Sequence, residues 1–445
     1  MPSPLIYNMT KEDIEAWIKD DMSDTENKQR KDKLGEVFTP LELVNKVLDL
    51  FPKSVWSDPS RKWLEPSAGK GNFAMCVYSR LMDGLQKVKP NKLERSNWII
   101  NNMLYMAELS KSNCNKLRKL FGSNCNLFCG DFLAYNNDNN NNSNVSIFDC
   151  IVGNPPFQDD YGLTNEGKRI LGGKSKLYER IFLKAYSLLE VGGLLAFVVP
   201  VNMFTGFTDS YKVLTESSVP FVSVNRVIKF FPSVQLDIGY FLLKKGKPRG
   251  KGLLPTNTII EGTNGKRFQT KLVWRSVNPV SNWTKSTDLL VRKYIKSEKN
   301  GAIYNRGKPV SAYKGSKYEV VYSPSRMLHT NNKELASGLN QPKAIIFAIS
   351  PELEFVMDYK GTKGAGPNTF YVPFDTVHKG KRLEAFLKSD VYRELALATK
   401  TTRQYLKHAF IQYVDFFGQR GNRHTKRRTK RMKYVSSKSR KTRRI

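Results

Sequence analysis

Histidine is scarce in this chain, with four residues in 445, and cysteine is nearly so, with five. The cysteines (Cys76, Cys114, Cys125, Cys129, Cys150) all precede residue 151, whereas the histidines (His329, His378, His408, His424) lie far downstream. With no C-x-x-C pair and no local Cys/His set, a zinc centre or a disulfide framework is not expected. Reduced, mostly buried thiols in an intracellular compartment are the expectation instead. Long hydrophobic runs are also lacking. The longest uncharged apolar stretch, Val191–Val201, falls far short of a membrane span, and Met1–Lys11 has no cationic segment followed by an apolar one. A soluble protein of the cytoplasm or nucleus is therefore expected. Acidic residues form the third shortage, 40 against 73 basic ones, for a net charge of +33. Apolar residues still make up 40% of the chain, enough to bury sizeable cores, so the basic excess does not signal disorder.

The shortage of acid is uneven. Residues 1–157 carry 20 basic and 19 acidic side chains, residues 158–418 carry 40 and 21, and residues 419–445 carry 13 and none. A near-neutral first part and increasingly cationic later parts point to a polyanion held by the later segments, with nucleic acid foremost.

From about Lys62 to Lys244, short apolar segments alternate with helical patterns, as in a parallel sheet covered by helices. The predicted strands are Lys62–Glu65, Met103–Glu108, Asn126–Cys129, Phe148–Gly153, Leu194–Pro200, Val222–Lys229 and Gly239–Lys244. The predicted helices are Leu41–Leu50, Asn72–Leu85, Ser110–Phe121 and Leu177–Leu189. The fold class that follows is α/β, a doubly wound and mostly parallel seven-stranded sheet. An Asn-rich run, Asn136–Asn144, reads as loop filler between the third and fourth strands. Lys, Gly and Pro dominate Lys244–Pro255, which sets the expected division: residues 1–34 an N-terminal extension, 35–248 the sheet domain, 249–418 a second α+β domain with aromatics among its Lys and Arg, and 419–445 a disordered basic tail.

The first strand ends in Leu64-Glu65-Pro66-Ser67-Ala68-Gly69-Lys70-Gly71-Asn72-Phe73, a glycine-rich turn entering a helix. Gly69 and Gly71 allow a ligand close to the backbone, but the spacing is not that of a phosphate loop, so ATP is disfavoured. The second strand ends in Glu108 and the third in Gly130-Asp131-Phe132. Taken singly, each acid would more often be a helix cap or a solvated strand end, and it is their joint placement that points to a site. An open parallel sheet binds its ligand at the carboxyl ends of its strands, so Glu65, Glu108 and Asp131 would converge on one crevice, suited to a cationic, hydroxyl-rich ligand. The fourth strand runs into Asn154-Pro155-Pro156-Phe157. Two prolines fix this turn and remove backbone donors, leaving the Asn side-chain oxygen and the Pro155 carbonyl as acceptors. Two acceptors suit an exocyclic amine, and Phe157 offers a face on which a planar base can stack.

On these residues the sequence resembles the S-adenosylmethionine-dependent N6-adenine DNA methyltransferases in which the cofactor motif comes first, the catalytic motif next and a target recognition domain last. The resemblance runs from Gly35 to about Lys244, with looser similarity through Asp415. It implies that Phe38-Thr39-Pro40 lies against the methionine part of the cofactor. Glu65, Pro66, Gly69, Gly71 and Phe73 would surround its amino and carboxylate groups. Glu108 would hold the ribose hydroxyls, Asp131 the adenine amine, and Phe132 would wall the adenine ring. Asn154, Pro155, Pro156 and Phe157 would be the catalytic motif, with Asn154 also beside the cofactor. Glu190–Pro200 resembles the family's fifth-strand element, and Phe230-Phe231-Pro232 the element whose aromatic, Phe231, closes on the flipped base. Two departures are a long Glu65-to-Glu108 spacing and the extra Asn-rich loop.

The implied activity is methyl transfer to N6 of a flipped adenine in a specific double-stranded DNA sequence, by a member of a restriction-modification system or a viral orphan enzyme. No metal is implied. Amines of RNA, N4 of cytosine in DNA, and a catalytically inactive DNA-binding scaffold are the competing readings. About 34 residues precede the methyltransferase elements, too few for a nuclease domain, so a separate cognate restriction endonuclease or none is expected. The tail reads either as a nuclear signal or as a DNA tether.

Overall fold

The computed structural model describes residues 4–20, 39–135, 147–157, 177–205, 209–225, 230, 237–246, 256–272, 274, 277–296, 298–348, 352–399 and 408–417. Phe38, Phe231, the Asn-rich run and the basic tail lie outside these residues. Two compact units divide the chain: residues 1–289 with 397–403, and residues 290–396 with 404–445.

The first unit opens with α1 (Leu5–Asn8) and α2 (Lys11–Asp20). The N-terminal extension thus contributes to the core of this unit, through Ile6, Ile14 and Ile18. There follow α3 (Leu41–Leu48), β1 (Trp63–Glu65), α4 (Asn72–Gly84), α5 (Lys92–Trp98), β2 (Leu104–Glu108), α6 (Lys111–Phe121) and β3 (Asn126–Cys129). Then come β4 (Phe148–Gly153), α7 (Leu177–Leu188), β5 (Leu189–Pro200), α8 (Asp209–Glu216), β6 (Ser218–Ser223), β7 (Ile238–Lys244), β8 (Thr256–Glu261) and β9 (Arg267–Leu272). β1 is buried along its whole length and β4 almost so, as strands must be when helices cover both faces of a sheet.

The strand order is β3-β2-β1-β4-β5-β7-β6-β8-β9. β3, β2, β1, β4 and β5 run parallel, and β7 is antiparallel to both its neighbours. The chain leaves β1 for β2 on one side and reaches β4 on the other, so the crevice at the carboxyl ends of β1 and β4 is the topological switch point. The long spacing from Glu65 to Glu108 houses α5, capped by the Asn91 side chain, which accepts from the Leu93 and Glu94 amides. A π-helical turn, Ile99–Met103, completes it. The β1–β2 register stays in step, Trp63 opposite Leu104 and Glu65 opposite Met106.

Four expectations need correction. The sheet has nine strands, not seven, and the first unit runs on past residue 248. The reason is that β8 pairs parallel with β6, placing Ile260 fully inside, while its terminal Glu261 accepts from the Ser223 hydroxyl at 2.7 Å and the Tyr240 hydroxyl at 2.8 Å. The predicted sixth strand is shifted: the observed one begins at Ser218 and ends at Ser223. Finally, Cys114 and Cys129 form a disulfide, while Cys76, Cys125 and Cys150 are free. α6 starts at the carboxyl end of β2 and the chain returns along β3, which brings its first turn to the end of that strand, with the two Cα atoms 6.1 Å apart. Burial pushes the Cys76 thiol up to about 12, so it stays protonated.

α9 (Lys285–Tyr294) spans the division between the units. The second unit contains β10 (Ile303–Asn305), β11 (Tyr318–Ser323), β12 (Arg326–Thr330), β13 (Lys343–Phe347), β14 (Phe355–Asp358), β15 (Gly364–Ala365) and β16 (Thr369–Pro373), then α10 (Val377–Leu387), most of α11 (Asp390–Thr399), whose last residues count to the first unit, and α12 (His408–Tyr413). A four-stranded sheet, β10-β16-β13-β14, and a three-stranded one, β12-β11-β15, make it α+β. A fully buried Lys343 ammonium lies 2.7 Å from the Asp358 carboxylate. The Thr362 and Lys363 amides donate to the same carboxylate, closing the turn that follows β14.

Candidate active site

The glycine-rich turn between β1 and α4 is tied down from both sides. The Ala68 amide donates to the Ala107 carbonyl on β2, and the Gly71 amide to the Ala68 carbonyl. Gly71 has φ +95°, and a Cβ there would lie 2.8 Å from the Leu117 side chain, so both conformation and space demand glycine. Glu65, at the end of β1, is buried and accepts from the Ala74 amide of α4 at 2.8 Å. Burial holds its carboxyl well above the usual carboxylate range. The Ala74 amide works against that, and the neighbouring negative Glu108 adds to it. Glu108, at the end of β2, accepts from Gly69 at 2.7 Å and Ser110 at 2.8 Å, both through backbone amides, and from the Asn113 side chain at 3.3 Å. The two acids therefore stand together, and the described residues give Glu65 no cationic partner.

The remaining predicted positions fall around the same edge of the sheet. Asp131 is exposed and accepts from the Leu133 amide, capping a single 3-10 turn, while Phe132 is buried. The Gly130 amide donates to the Glu108 carbonyl and so fastens this segment to β2. Asn154 follows β4 directly. Its strand end adjoins the glycine-rich turn, since a Cβ on Gly153 would lie 3.5 Å from Pro66 and 3.9 Å from the Ser67 hydroxyl. Phe157 is buried and meets Tyr178, in the first turn of α7, edge to face at 6.4 Å.

Thr39 is buried and links these parts. Asn154 donates through Nδ2 to its hydroxyl at 2.9 Å, and Asn72, at the start of α4, donates through Nδ2 to its carbonyl at 3.0 Å. Phe38 and Phe231 lie outside the described residues, and of the later aromatic pair only Phe230 is described, with the Lys46 ammonium 5.6 Å from its ring. Sequence reasoning assigned no role to Ser67, Asn72 or Asn202. All three place a buried side-chain oxygen that has no hydrogen-bond partner among the described residues, at the carboxyl ends of β1 and β5. Ser67 and Asn72 sat within the quoted motif, but only packing reveals an unpaired buried oxygen. Among the described residues no set of three His, Cys, Asp or Glu is placed to hold a metal ion, and no helix is long and apolar enough to cross a membrane.

With the buried acids, the glycine-built turn and the Asn-Pro-Pro-Phe turn placed on adjacent strand ends, the chain can be compared with known proteins. Residues 69–235 match the Eco57I restriction-modification methylase family. An adenine-specific methylase of Mycoplasma pneumoniae, itself uncharacterised, is 27% identical over 51% of this chain and 71% of its own. The modification methylase CviBIII of Paramecium bursaria Chlorella virus NC1A is 28% identical, and the match spans 41% of this chain and 42% of the viral one. Among solved structures, the type IIL restriction-modification enzyme MmeI, in complex with DNA, shares the fold over 92% of this chain and 70% of its own, with a TM-score of 0.50 and 13% identity.

Proposed function

We propose that this protein transfers a methyl group from S-adenosylmethionine to N6 of an adenine turned out of duplex DNA. The observation that carries this reading is the juxtaposition of Asn154 with the buried acid pair at one switch point. The residues present fit the cofactor. Among the described residues Glu65 is a buried acid with no cationic partner, and the cofactor's amino group would supply one. Glu108 would take the ribose hydroxyls and Asp131 the adenine amine, with Phe132 against the ring. Gly69 and Gly71 leave the backbone open to the methionine part, beside Thr39-Pro40. When bound, the cofactor supplies a methyl group already activated on a sulfonium.

The chain's own contribution is then positioning. Asn154 would accept one N–H of the target amine at Oδ1, and the Pro155 carbonyl the other, drawing the nitrogen lone pair toward the methyl group. Pro155 and Pro156 hold that turn rigid, and Phe157 supports the base. Adenine agrees with the name of the Mycoplasma relative, an adenine-specific methylase, and the basic excess after residue 157 supports a phosphate-gripping partner surface. In this reading the second unit is the target recognition domain.

Duplex DNA, single-stranded DNA and RNA offered with labelled cofactor, followed by nucleoside mass spectrometry, test the proposal. N6-methyladenine arising in duplex DNA is the expected product. Label confined to RNA or to N4 of cytosine would overturn it.

A further inference from the structure

We propose that Thr39 is a positioning residue for the transfer step, orienting the catalytic amide from the opposite end of the domain sequence. The inference rests on the proposed function, because it concerns the amide assigned there to the target amine. A carboxamide has two edges of nearly the same shape, and the wrong edge would present Nδ2 donors to an amine that offers donors itself. Something must select the edge. In this structure the Thr39 hydroxyl holds the Nδ2 edge, accepting from it at 2.9 Å across 115 positions of sequence. With Nδ2 committed there, Oδ1 lies on the opposite edge of the amide as the acceptor.

Thr39 can select only because it is itself immobile. Its side chain is buried, and its carbonyl accepts from Asn72 Nδ2 at 3.0 Å. Asn72 is the first residue of α4, directly after the left-handed Gly71. The hydroxyl that orients Asn154 is thus fixed to the same helix start as the glycine-rich turn. A β-branched residue has few side-chain rotamers, which suits a hydroxyl that must stay on one axis. Pro40 immediately follows and begins α3, where the Leu43 and Val44 amides donate to its carbonyl. Thr39 is therefore held from α3 and α4 while its hydroxyl faces the catalytic turn.

Thr39→Val keeps the shape and removes the hydroxyl, and Thr39→Ser keeps the hydroxyl. In the full chain, single-turnover methylation should fall on the order of a hundredfold in Thr39→Val. Cofactor Kd should stay within about threefold, and Thr39→Ser should regain all but about threefold of the rate. Thr39→Ala makes the same prediction by truncation and serves if the valine variant does not fold. A second readout does not need turnover: the side-chain amide signal of Asn154 in asparagine-labelled protein, assigned by its loss in Asn154→Asp, should move in Thr39→Val and not in Thr39→Ser. An unchanged rate, a rate loss matched by weaker cofactor binding, or an unmoved amide signal would each overturn the inference. If the wild type methylates no DNA while the amide signal still answers to Thr39, the proposed function fails and the orienting contact stands.

Discussion

Glu65 in the first unit and Asp358 in the second are both buried acids, and they are held in opposite ways. Asp358 has a fully buried ammonium 2.7 Å away and two backbone amides besides. Burial alone would raise its pKa, but these donors outweigh burial and hold the carboxyl below the usual range. Glu65 has one amide and a second carboxylate for company, and it is held above that range. A paired buried charge is a structural element, complete as it stands. An acid with no cationic partner among the described residues, beside a glycine-built turn, would receive one in the proposed function, and this contrast separates scaffold from candidate site more clearly than burial does.

The comparison can be broken most sharply at Asn154. Asn154→Ala should cut single-turnover methylation by at least about a thousandfold while cofactor affinity changes little, because the amide acts on the amine rather than on the cofactor. Calorimetry beside a rapid-quench assay checks both halves. Next in size is the second unit's own acid. Lys343→Met strands Asp358 and should cost about 3–5 kcal/mol in urea unfolding, because it leaves a buried charge uncompensated.

The pH dependence should separate the two acids by sign. The folded-state pKa of Asp358 is depressed, so its stabilisation is present above the ordinary carboxylate pKa and is lost as pH falls through the folded value. That of Glu65 is raised, so its contribution is present below the ordinary carboxylate pKa and is lost as pH rises through the folded value. Unfolding of Glu65→Gln and Asp358→Asn, each compared with wild type across pH, should show slopes of opposite sign. A cation binding beside Glu65 would favour its ionised form, so cofactor binding should release a proton and tighten as pH rises. Calorimetry in buffers of different ionisation enthalpy measures that proton, and its absence would remove Glu65 from the cation's neighbourhood. The smallest expected effect belongs to the basic tail. Removing Gln419–Ile445, with its 13 basic residues, should flatten the salt dependence of DNA affinity and leave the methylated sequence unchanged, as read by mapping modified adenines.

Much of the first unit was legible in advance. Asn126–Cys129 and Phe148–Gly153 are strands over the expected residues, because apolar runs between turn residues have one outcome in a covered parallel sheet. Less legible was α5, whose seven residues contain two that are fully or nearly buried, Arg95 and Ser96, and give no apolar stripe to read. Beyond Pro255, β8 and β9 were missed since their alternation is weak and the lysine- and glycine-rich break before them reads as a boundary. The disulfide was missed for a different reason: pairing depends on where β3 returns, and spacing does not show that.

Composition and motif spacing determined that a near-neutral segment carries the acids and glycines, that Asn154-Pro155-Pro156-Phe157 follows the fourth strand, and that positive charge accumulates afterwards. These are properties of residue order and survive any packing. Tertiary structure alone decided that among the described residues Glu65 has no cationic partner while Asp358 has one, that the sheet continues to nine strands, and that Thr39 meets Asn154. Each of those depends on which groups lose water together, and burial is settled only when distant segments close over one another.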